Sequence, residues 1–247
     1  MTAVLASTRW GPMLVPPFDE YVSQALIRLG QYAPTELDTW IPYLPAGGII
    51  VDAGANIGAH TLAFALAVGP SGTVIAVEPQ RMLNYMLCGT IALNAVRNVH
   101  VKLCALGREP GQVFIPAIDY GAPGNFGGVE LKHTKEGDSI ACVPLDGWKL
   151  QQLDFLKVDV EGMELDVLHG ASETIGRCRP VISVEADREK NVPATLTWLR
   201  LNGYRAWWHR PALGALWPRV VSINLLALPR DREGLPDPVG DVEVAIE

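Results

Sequence analysis

The chain has 247 residues, of which 49% are hydrophobic and 19% are charged, a composition typical of a packed globular protein. Its formal net charge of −7 argues against a nucleic-acid partner, because nucleic-acid binding depends on neutralising phosphates with Lys and Arg. The longest apolar run, residues 62–68, is far shorter than the roughly 20 residues that span a membrane, and no secretory leader pattern is recognised. A soluble cytoplasmic protein, without a nucleic-acid or membrane partner, is therefore expected.

The first 46 residues are predicted to form a lead-in that lies outside the central sheet. Residues 1–17 contain several prolines and glycines and are expected to be irregular. Apolar residues at helical spacing predict a helix over residues 21–29, and residues 37–43 predict a second, short helix. The sequence thus predicts a helical N-terminal lead-in over residues 1–46.

From residue 47 onward, strand patterns alternate with helix patterns. Strands are predicted at residues 49–52, 73–78, 99–103, 153–160 and 180–185, with helices at residues 61–68, 81–95, 161–169 and 194–201 between them. Two further strands are predicted at residues 112–115 and 139–145, and a closing antiparallel pair at residues 204–208 and 220–228. This alternation predicts an α/β domain with a mostly parallel sheet over residues 47–228. Residues 229–247 are rich in Pro, Asp and Glu and are expected to form a flexible tail.

A glycine-containing loop follows the first strand of this sheet and reads Asp52-Ala53-Gly54-Ala55-Asn56-Ile57-Gly58. Open α/β sheets bind ligands at such strand ends. The dinucleotide pattern G-x-G-x-x-G does not fit, because Asn56 occupies the place of the second glycine and disfavours close approach of a pyrophosphate. S-adenosylmethionine, which has no phosphate, suits the loop better: Asp52 would neutralise its positive end, and backbone N–H groups would bind its carboxylate. The alternative is a tight turn that binds nothing.

Acidic residues end two further strands. Glu78, followed by Pro79, ends the second strand and is placed to accept hydrogen bonds from ribose hydroxyls, a device that NAD-binding proteins share. Asp159 and Glu161 end the strand at residues 153–160, and they are candidates for orienting or deprotonating a methyl acceptor, Asp159 first. In the alternative interpretation, Glu78 is solvated, and Asp159 and Glu161 cap the next helix.

Three further features are less specific. No metal site is expected, because the cysteines are widely spaced; Glu185 with Asp159 and Asp187 is the one magnesium arrangement considered. The glycine-rich residues 117–138 have no clear period, and a loop of this length in a compact domain is usually functional or disordered. His133 lies in this segment and would reach the cleft only if the segment formed a lid over it.

Taken together, these motifs resemble the FkbM family of S-adenosylmethionine-dependent methyltransferases. The resemblance rests on the loop at residues 51–58, Val77-Glu78-Pro79, Ala105-Leu106-Gly107, Pro144-Leu145-Asp146 and the run at residues 156–164. It implies a Rossmann-like class I fold with helices on both faces of a seven-stranded sheet whose last strand is antiparallel. The residues expected to contact S-adenosylmethionine are Asp52, Gly54, Ala55, Asn56, Gly58, Thr61, Glu78, Pro79 and Ala105.

The leading functional hypothesis is therefore methyl transfer from S-adenosylmethionine to a hydroxyl of a small molecule or a glycan. Two alternatives remain open: an NAD-dependent oxidoreductase or epimerase, and a cofactor-binding scaffold without catalysis. Asn56 and the K-x-D-x-E-G-x-E run at residues 157–164 count against the first alternative. The sequence indicates neither the acceptor nor the oligomeric state.

Overall fold

The computed structural model describes residues 3–130, 137–210, 215–217 and 222–238, and the backbone of Val242–Glu243. In chain order the elements are β1 (Val4–Thr8), β2 (Gly11–Val15), α1 (Val22–Leu29), α2 (Pro34–Trp40), β3 (Ile49–Ala53), α3 (Ala59–Val68), β4 (Thr73–Val77), α4 (Arg81–Leu93), β5 (Val99–Lys102), β6 (Ala105–Leu106), β7 (Gly111–Ile115), β8 (Asp138–Val143), β9 (Phe155–Val158), α5 (Glu164–Gly170), α6 (Ser172–Cys178), β10 (Val181–Glu185), α7 (Val192–Leu201), β11 (Tyr204–His209), β12 (Asn224–Pro229) and β13 (Val242–Glu243). Short 3₁₀ helices also lie at Ile41–Tyr43, after α2, and at Leu145–Trp148, after β8.

The central sheet is α/β and mostly parallel, as predicted. Its eight strands lie in the order β13-β11-β12-β10-β9-β3-β4-β5. Strands β10, β9, β3, β4 and β5 pair in parallel, and β12 inserts antiparallel between β10 and β11. The expected seven strands with an antiparallel last strand are thus present. The eighth strand, β13, pairs its backbone with Trp207 and Trp208 of β11 and lies in the segment expected to be a flexible tail.

Both faces of the sheet are covered, because alternate strand residues point to opposite sides. One core contains the sheet residues Ile50, Val74 and Phe155, with Trp40 of α2 and Phe64 of α3. The other core contains Val51, Ile75 and Leu156, with Leu168 of α5 and Leu199 of α7. The near-continuous apolar strands are those of a sheet buried on both sides, and they hold the carboxyl ends of β3, β4 and β9 at one edge. None of the described helices is long and apolar enough to cross a lipid bilayer.

Residues 1–17 were expected to be irregular, and this prediction is wrong for the described residues. Strands β1 and β2 form an antiparallel hairpin that buries Met13 and Val15. The Thr8 hydroxyl donates to the Gly11 carbonyl across the turn at 2.6 Å. The hairpin packs on α4, where the Thr90 hydroxyl accepts the Leu14 N–H at 3.1 Å. A two-stranded hairpin is marginal alone, so this contact with α4 supplies the stability that local sequence does not show.

The helix predicted to begin at residue 161 begins at Glu164 instead. Glu161 and Gly162 have positive φ values of 55° and 101°, so the chain makes a turn before the helix. The Glu164 carboxylate accepts the Gly162 N–H at 2.7 Å, which closes this turn. Glu161 therefore lies outside the helix, and its side chain faces the sheet edge.

Candidate cofactor and active site

A cavity opens at the carboxyl ends of β3, β4 and β9. This is the position at which open α/β sheets bind ligands. Of the residues predicted for the site, those that line it are Gly54, Ala55, Asn56, Glu78, Pro79, Ala105, Asp159 and Glu161. Asp52, Gly58 and Thr61 do not line it.

Gly54 brings the backbone of the loop against the end of β9. Its φ is +77°, and a Cβ at this position would overlap the carbonyl oxygen of Asp159. Asn56 also has a positive φ, 53°, which Asn tolerates better than most residues. Its side-chain oxygen accepts the Ile57 N–H at 2.7 Å, so the strained backbone is held by a local hydrogen bond.

The backbone N–H groups of the loop are already used within the protein. The N–H groups of Gly54 and Ala55 both donate to the Val77 carbonyl, at 3.0 and 2.9 Å. The Asn56 N–H donates to Glu78, at 2.7 Å. The expectation that these donors bind a ligand carboxylate is therefore wrong for this geometry, because the loop is fastened to the end of β4. The loop residues that line the cavity are Gly54, Ala55 and Asn56.

Asp52 lies behind the wall of the cavity, and this corrects its expected role. Its side chain is fully buried. One carboxylate oxygen accepts the Thr61 hydroxyl at 2.6 Å, and the other lies 3.5 Å from Lys157 Nζ. Asp52 and Thr61 therefore support the loop and the buried lysine, and the Asp52 carboxylate does not face a ligand in the cavity.

Lys157 was not assigned a role from the sequence, yet it links two of the strands that form the cavity. Its ammonium group is buried and lies 3.0 Å from Asp159, 3.5 Å from Asp52 and 3.2 Å from the Gly54 carbonyl oxygen. Burial alone would lower the pKa of Lys157, but the Asp159 and Asp52 carboxylates outweigh it and raise the pKa above its ordinary value. Lys157 is thus charged, and it fixes the carboxylate of Asp159 at the mouth of the cavity.

Glu78 ends β4 with its carboxylate in the cavity wall. One oxygen accepts the Asn56 N–H at 2.7 Å and the other accepts the Gln80 N–H at 2.8 Å. Burial raises the pKa of Glu78 to about 7, although both hydrogen bonds oppose the shift. Each carboxylate oxygen retains a second lone pair, so the group can still accept hydrogen bonds from a ligand.

An acidic cluster with an arginine adjoins the cavity, and its members Asp159 and Glu161 line it. Ligand atoms of Asp159, Glu161 and Glu185 all lie within 4.8 Å of one another, whereas Asp187, considered for the same magnesium site, is not in this group. The guanidinium of Arg188 lies 2.9 Å from Glu161, 3.7 Å from Asp187 and 4.0 Å from Glu185. Arg188 therefore supplies positive charge to the cluster. Burial raises the pKa of Glu161 to about 7.

The glycine-rich region contributes a cover over the cavity. We call residues 116–130 the cover segment; its residues Asn125, Gly127, Gly128 and Val129 line the cavity. The Gln80 side chain donates to the Phe126 carbonyl at 2.7 Å and accepts the Tyr120 hydroxyl at 2.9 Å. Gln80 thus ties the cover segment to the sheet. His133, considered for a lid, lies outside the described residues.

Residues 52–206 match the family model of the methyltransferase FkbM domain. The chain belongs to the FkbM methyltransferase domain family. It is 31% identical to methyltransferase sdnD of Sordaria araneosa, over 54% of this chain and 64% of that one. It is also 31% identical to methyltransferase 1 of Beauveria bassiana (strain ARSEF 2860), over 52% of this chain and 60% of that one. The matches thus span less than two thirds of the length of these relatives.

The crystal structure of methyltransferase FkbM from Methylobacillus flagellatus KT is similar, with a TM-score of 0.52 and 20% identity. It matches 74% of this chain, and the match covers 44% of that chain. At this identity, the likeness shows the fold of an FkbM domain and nothing further. Every predicted site residue lies within the matched range 52–206.

Two cavity-wall residues outside the recognised motifs were missed in the sequence analysis. Tyr32, which precedes α2, and His60, in the first turn of α3, both line the cavity. Glu36 of α2 lies beside them, with its Oε2 atom 3.5 Å from His60 Nε2. Tyr32 and Glu36 precede the part of the chain that matches the FkbM model, and Glu36 lies just before the short helix predicted at residues 37–43, where its sequence carries no local signal of burial.

Proposed function

We propose that this FkbM-family chain transfers the methyl group of S-adenosylmethionine to a hydroxyl oxygen of a small molecule or sugar. The observation that carries the proposal is the arrangement at one cavity of the Gly54 loop on β3, Glu78 on β4 and the Lys157–Asp159 pair on β9. The two relatives described above are both named methyltransferases.

The donor set fits the cofactor by its chemistry. Glu78 would accept hydrogen bonds from the ribose hydroxyls, and Gly54 leaves room for close approach of the ligand. The partly exposed carboxylate of Asp159 would bind the ammonium group, since only one of its oxygens is held by Lys157, at 3.0 Å. Pro79 and Ala105 would face the adenosine part, which lies beyond the ribose. The cofactor supplies an electrophilic methyl group on a cationic sulfur.

The protein's part in the reaction is to hold the acceptor oxygen close to the methyl group and in line with it. The cover segment and Tyr32 enclose the cavity and limit the access of water. Asp159 and Glu161 offer carboxyl oxygens at the end of the cavity, where hydroxyl groups of an acceptor can donate hydrogen bonds. Hydroxyl-rich molecules match such a wall better than apolar acceptors do.

The test is transfer of labelled methyl from S-adenosylmethionine to a panel of catechols, methyl glycosides and polyketide-type alcohols, with the bond formed identified by NMR. We expect transfer to oxygen. Asp159→Asn should reduce kcat/KM at least tenfold, whereas Glu109→Gln, at an exposed site, should not change it. Methylation of nitrogen or carbon only, or no transfer to any acceptor, would contradict the proposal.

A further inference from the structure

A second polar group lines the cavity on the side formed by Tyr32, before α2, and His60, in α3. His60 and Tyr32 line the cavity, and their rings lie 5.7 Å apart. The His60 ring also packs edge-on against Trp40, at 5.0 Å, and is stacked with Phe64, at 6.2 Å. These contacts fix the imidazole plane, so its two nitrogens have defined directions.

The Nε2 atom of His60 is directed away from the cavity, towards Glu36. It is buried, it lies 3.5 Å from Glu36 Oε2, and it has no hydrogen-bond partner among the described residues. Because the ring lines the cavity while Nε2 is buried, Nδ1 is the nitrogen left to face a ligand. Hydrogen bonds at catalytic groups are often long in the free protein and shorten when the ligand binds.

Glu36 is held by polar side chains at the start of β12. Its Oε1 atom accepts the Asn224 amide at 3.0 Å, and the Ser222 side chain also forms a hydrogen bond with it. Burial raises the pKa of Glu36 to about 7, with Asp159 adding to the shift and Lys157 opposing it. Burial also holds the pKa of His60 well below its ordinary value, so the imidazole is neutral.

The pair has a free-energy cost that packing alone does not explain. A buried imidazole nitrogen without a hydrogen bond destabilises the fold, and the buried carboxyl group adds its own desolvation penalty. Apolar residues in these two places would fill the same core without that cost. Polar groups that are kept at such a cost beside a cavity indicate a functional role.

The carboxylates of the acidic cluster are each paired with a cation. Asp159 is held by the ammonium group of Lys157 at 3.0 Å, and Glu161 by the guanidinium of Arg188 at 2.9 Å. Burial raises the pKa of Glu161 to about 7, whereas burial and the charge of Lys157 hold the pKa of His60 well below its ordinary value, so the choice of His60 rests on geometry and not on basicity. The His60 ring lines the cavity, and among the described residues Glu36 is the charged group that lies within 4.0 Å of a ring nitrogen.

We propose that His60 is the general base of methyl transfer and that Glu36 is its positioning residue, an inference that rests on the proposed O-methylation. The acceptor oxygen forms a bond to the methyl carbon as the bond from that carbon to sulfur breaks, and the sulfur retains the electron pair. The hydroxyl proton passes to Nδ1 of His60, and Glu36 accepts the hydrogen bond from the Nε2 proton. The products are the methyl ether and S-adenosylhomocysteine, and the proton leaves later to solvent.

The first test is a ring-¹⁵N NMR titration of the full chain bound to S-adenosylhomocysteine. At pH 8, above the pKa of Glu36, we expect the His60 signals of a neutral ring with its proton on Nε2 and a bare Nδ1. In Glu36→Gln, whose amide can either donate or accept, the two tautomers should mix. A proton on Nδ1 in the wild-type protein would overturn the inference, whatever the variants do.

The second test is single-turnover methyl transfer to the same catechols and methyl glycosides. His60→Gln should lower the rate of the chemical step 10²- to 10⁴-fold, with affinity for S-adenosylhomocysteine within threefold of wild type. The matched control is His100→Gln, the same substitution at an exposed position of β5 that does not line the cavity, and it should stay within threefold. Transfer by His60→Gln at the wild-type rate contradicts the inference alone. No transfer to oxygen by the wild-type protein contradicts the proposed function and, with it, this inference.

Discussion

Gly54 is a residue at which the geometry of the loop depends on the absence of a side chain. Its positive φ of +77° disfavours any side chain, and its Cα faces the Asp159 carbonyl at the end of β9. The sequence analysis placed this glycine in the loop after the first strand of the sheet, and in the structure it lies there. The close contact with β9 needed the structure, because the two residues are far apart in the chain.

Gly54→Ala should lower the free energy of unfolding by at least about 2 kcal/mol, since a Cβ would add left-handed strain and collide with backbone. Affinity for S-adenosylmethionine should fall with it. The control is Gly176→Ala in α6, where a Cβ meets no atom within 4 Å; it should stabilise by about 0.5–1 kcal/mol. Urea unfolding and calorimetry measure both effects. Equal stability of the two variants would contradict the geometry.

Glu78 predicts a pH dependence of stability. Burial raises its pKa from an ordinary value of 4.5 to about 7 in the fold. Between these pH values the folded protein keeps a proton that the unfolded chain has lost. The free energy of unfolding therefore falls as the pH rises from 4.5 to 7.

The free energy of unfolding of the wild-type protein, relative to that of Glu78→Gln, should fall by on the order of 1 kcal/mol per pH unit from pH 4.5 to 7. Above pH 7 the difference between the two free energies should stay constant. Urea titrations of both proteins at pH 5, 6, 7 and 8 measure it, with Glu109→Gln as the exposed control. Parallel curves for wild type and Glu78→Gln would show that the Glu78 pKa is not raised.

Asp52 shows what a linear sequence cannot reveal about a site. It was expected to face the ligand because it precedes the glycine loop. In the sheet it pairs in register with Lys157, which is 105 positions later in the chain. A strand order must be known before such a cross-strand pair can be predicted. By contrast, Glu78 and Asp159 end their strands with their side chains at the cavity, where the motifs placed them.

At the scale of elements, the apolar periodicity of the sequence predicted the strands of the central sheet and the helices between them. Strand β3 (Ile49–Ala53) and helix α3 (Ala59–Val68) each lie within two residues of the predicted bounds. The elements that were missed depend on tertiary contacts: the hairpin of β1 and β2 relies on α4, and the two-residue strand β13 relies on β11. Short segments of this kind have too few residues for their pattern to be distinctive.

The cover segment is an element without regular structure that is fastened at defined points. Gln80 holds Phe126 and Tyr120, and Asp19 accepts the Phe126 N–H at 3.2 Å. This network explains why a glycine-rich segment with no period has a fixed position over the cavity.

Gln80→Ala should therefore loosen the cover segment without unfolding the sheet. We expect at least tenfold faster hydrogen exchange in residues 116–130 and weaker binding of S-adenosylhomocysteine, with strands β3 and β9 unchanged. The control is Gln151→Ala, whose side chain bonds only to the exposed Lys149 carbonyl and lies away from the cavity. An unchanged rate of hydrogen exchange in the cover segment would contradict the conclusion that Gln80 holds this segment in place.

For the whole molecule, the topology places every feature of the site at one edge. Five parallel strands present their carboxyl ends together, and the N-terminal helices and the cover segment close the space above them. The family match extends over residues 52–206, while Tyr32 and Glu36 come from the part of the chain before it. The cavity wall thus includes Tyr32, which lies outside the range that matches the family model.

The central claim is that this cavity binds S-adenosylmethionine, and isothermal calorimetry of the full chain tests it most directly. We expect one S-adenosylmethionine or S-adenosylhomocysteine to bind per chain, binding to weaken in Gly54→Ala, and NAD to give no heat of binding. Binding of NAD, with no binding of S-adenosylmethionine or its product, would contradict the account and favour the dehydrogenase alternative.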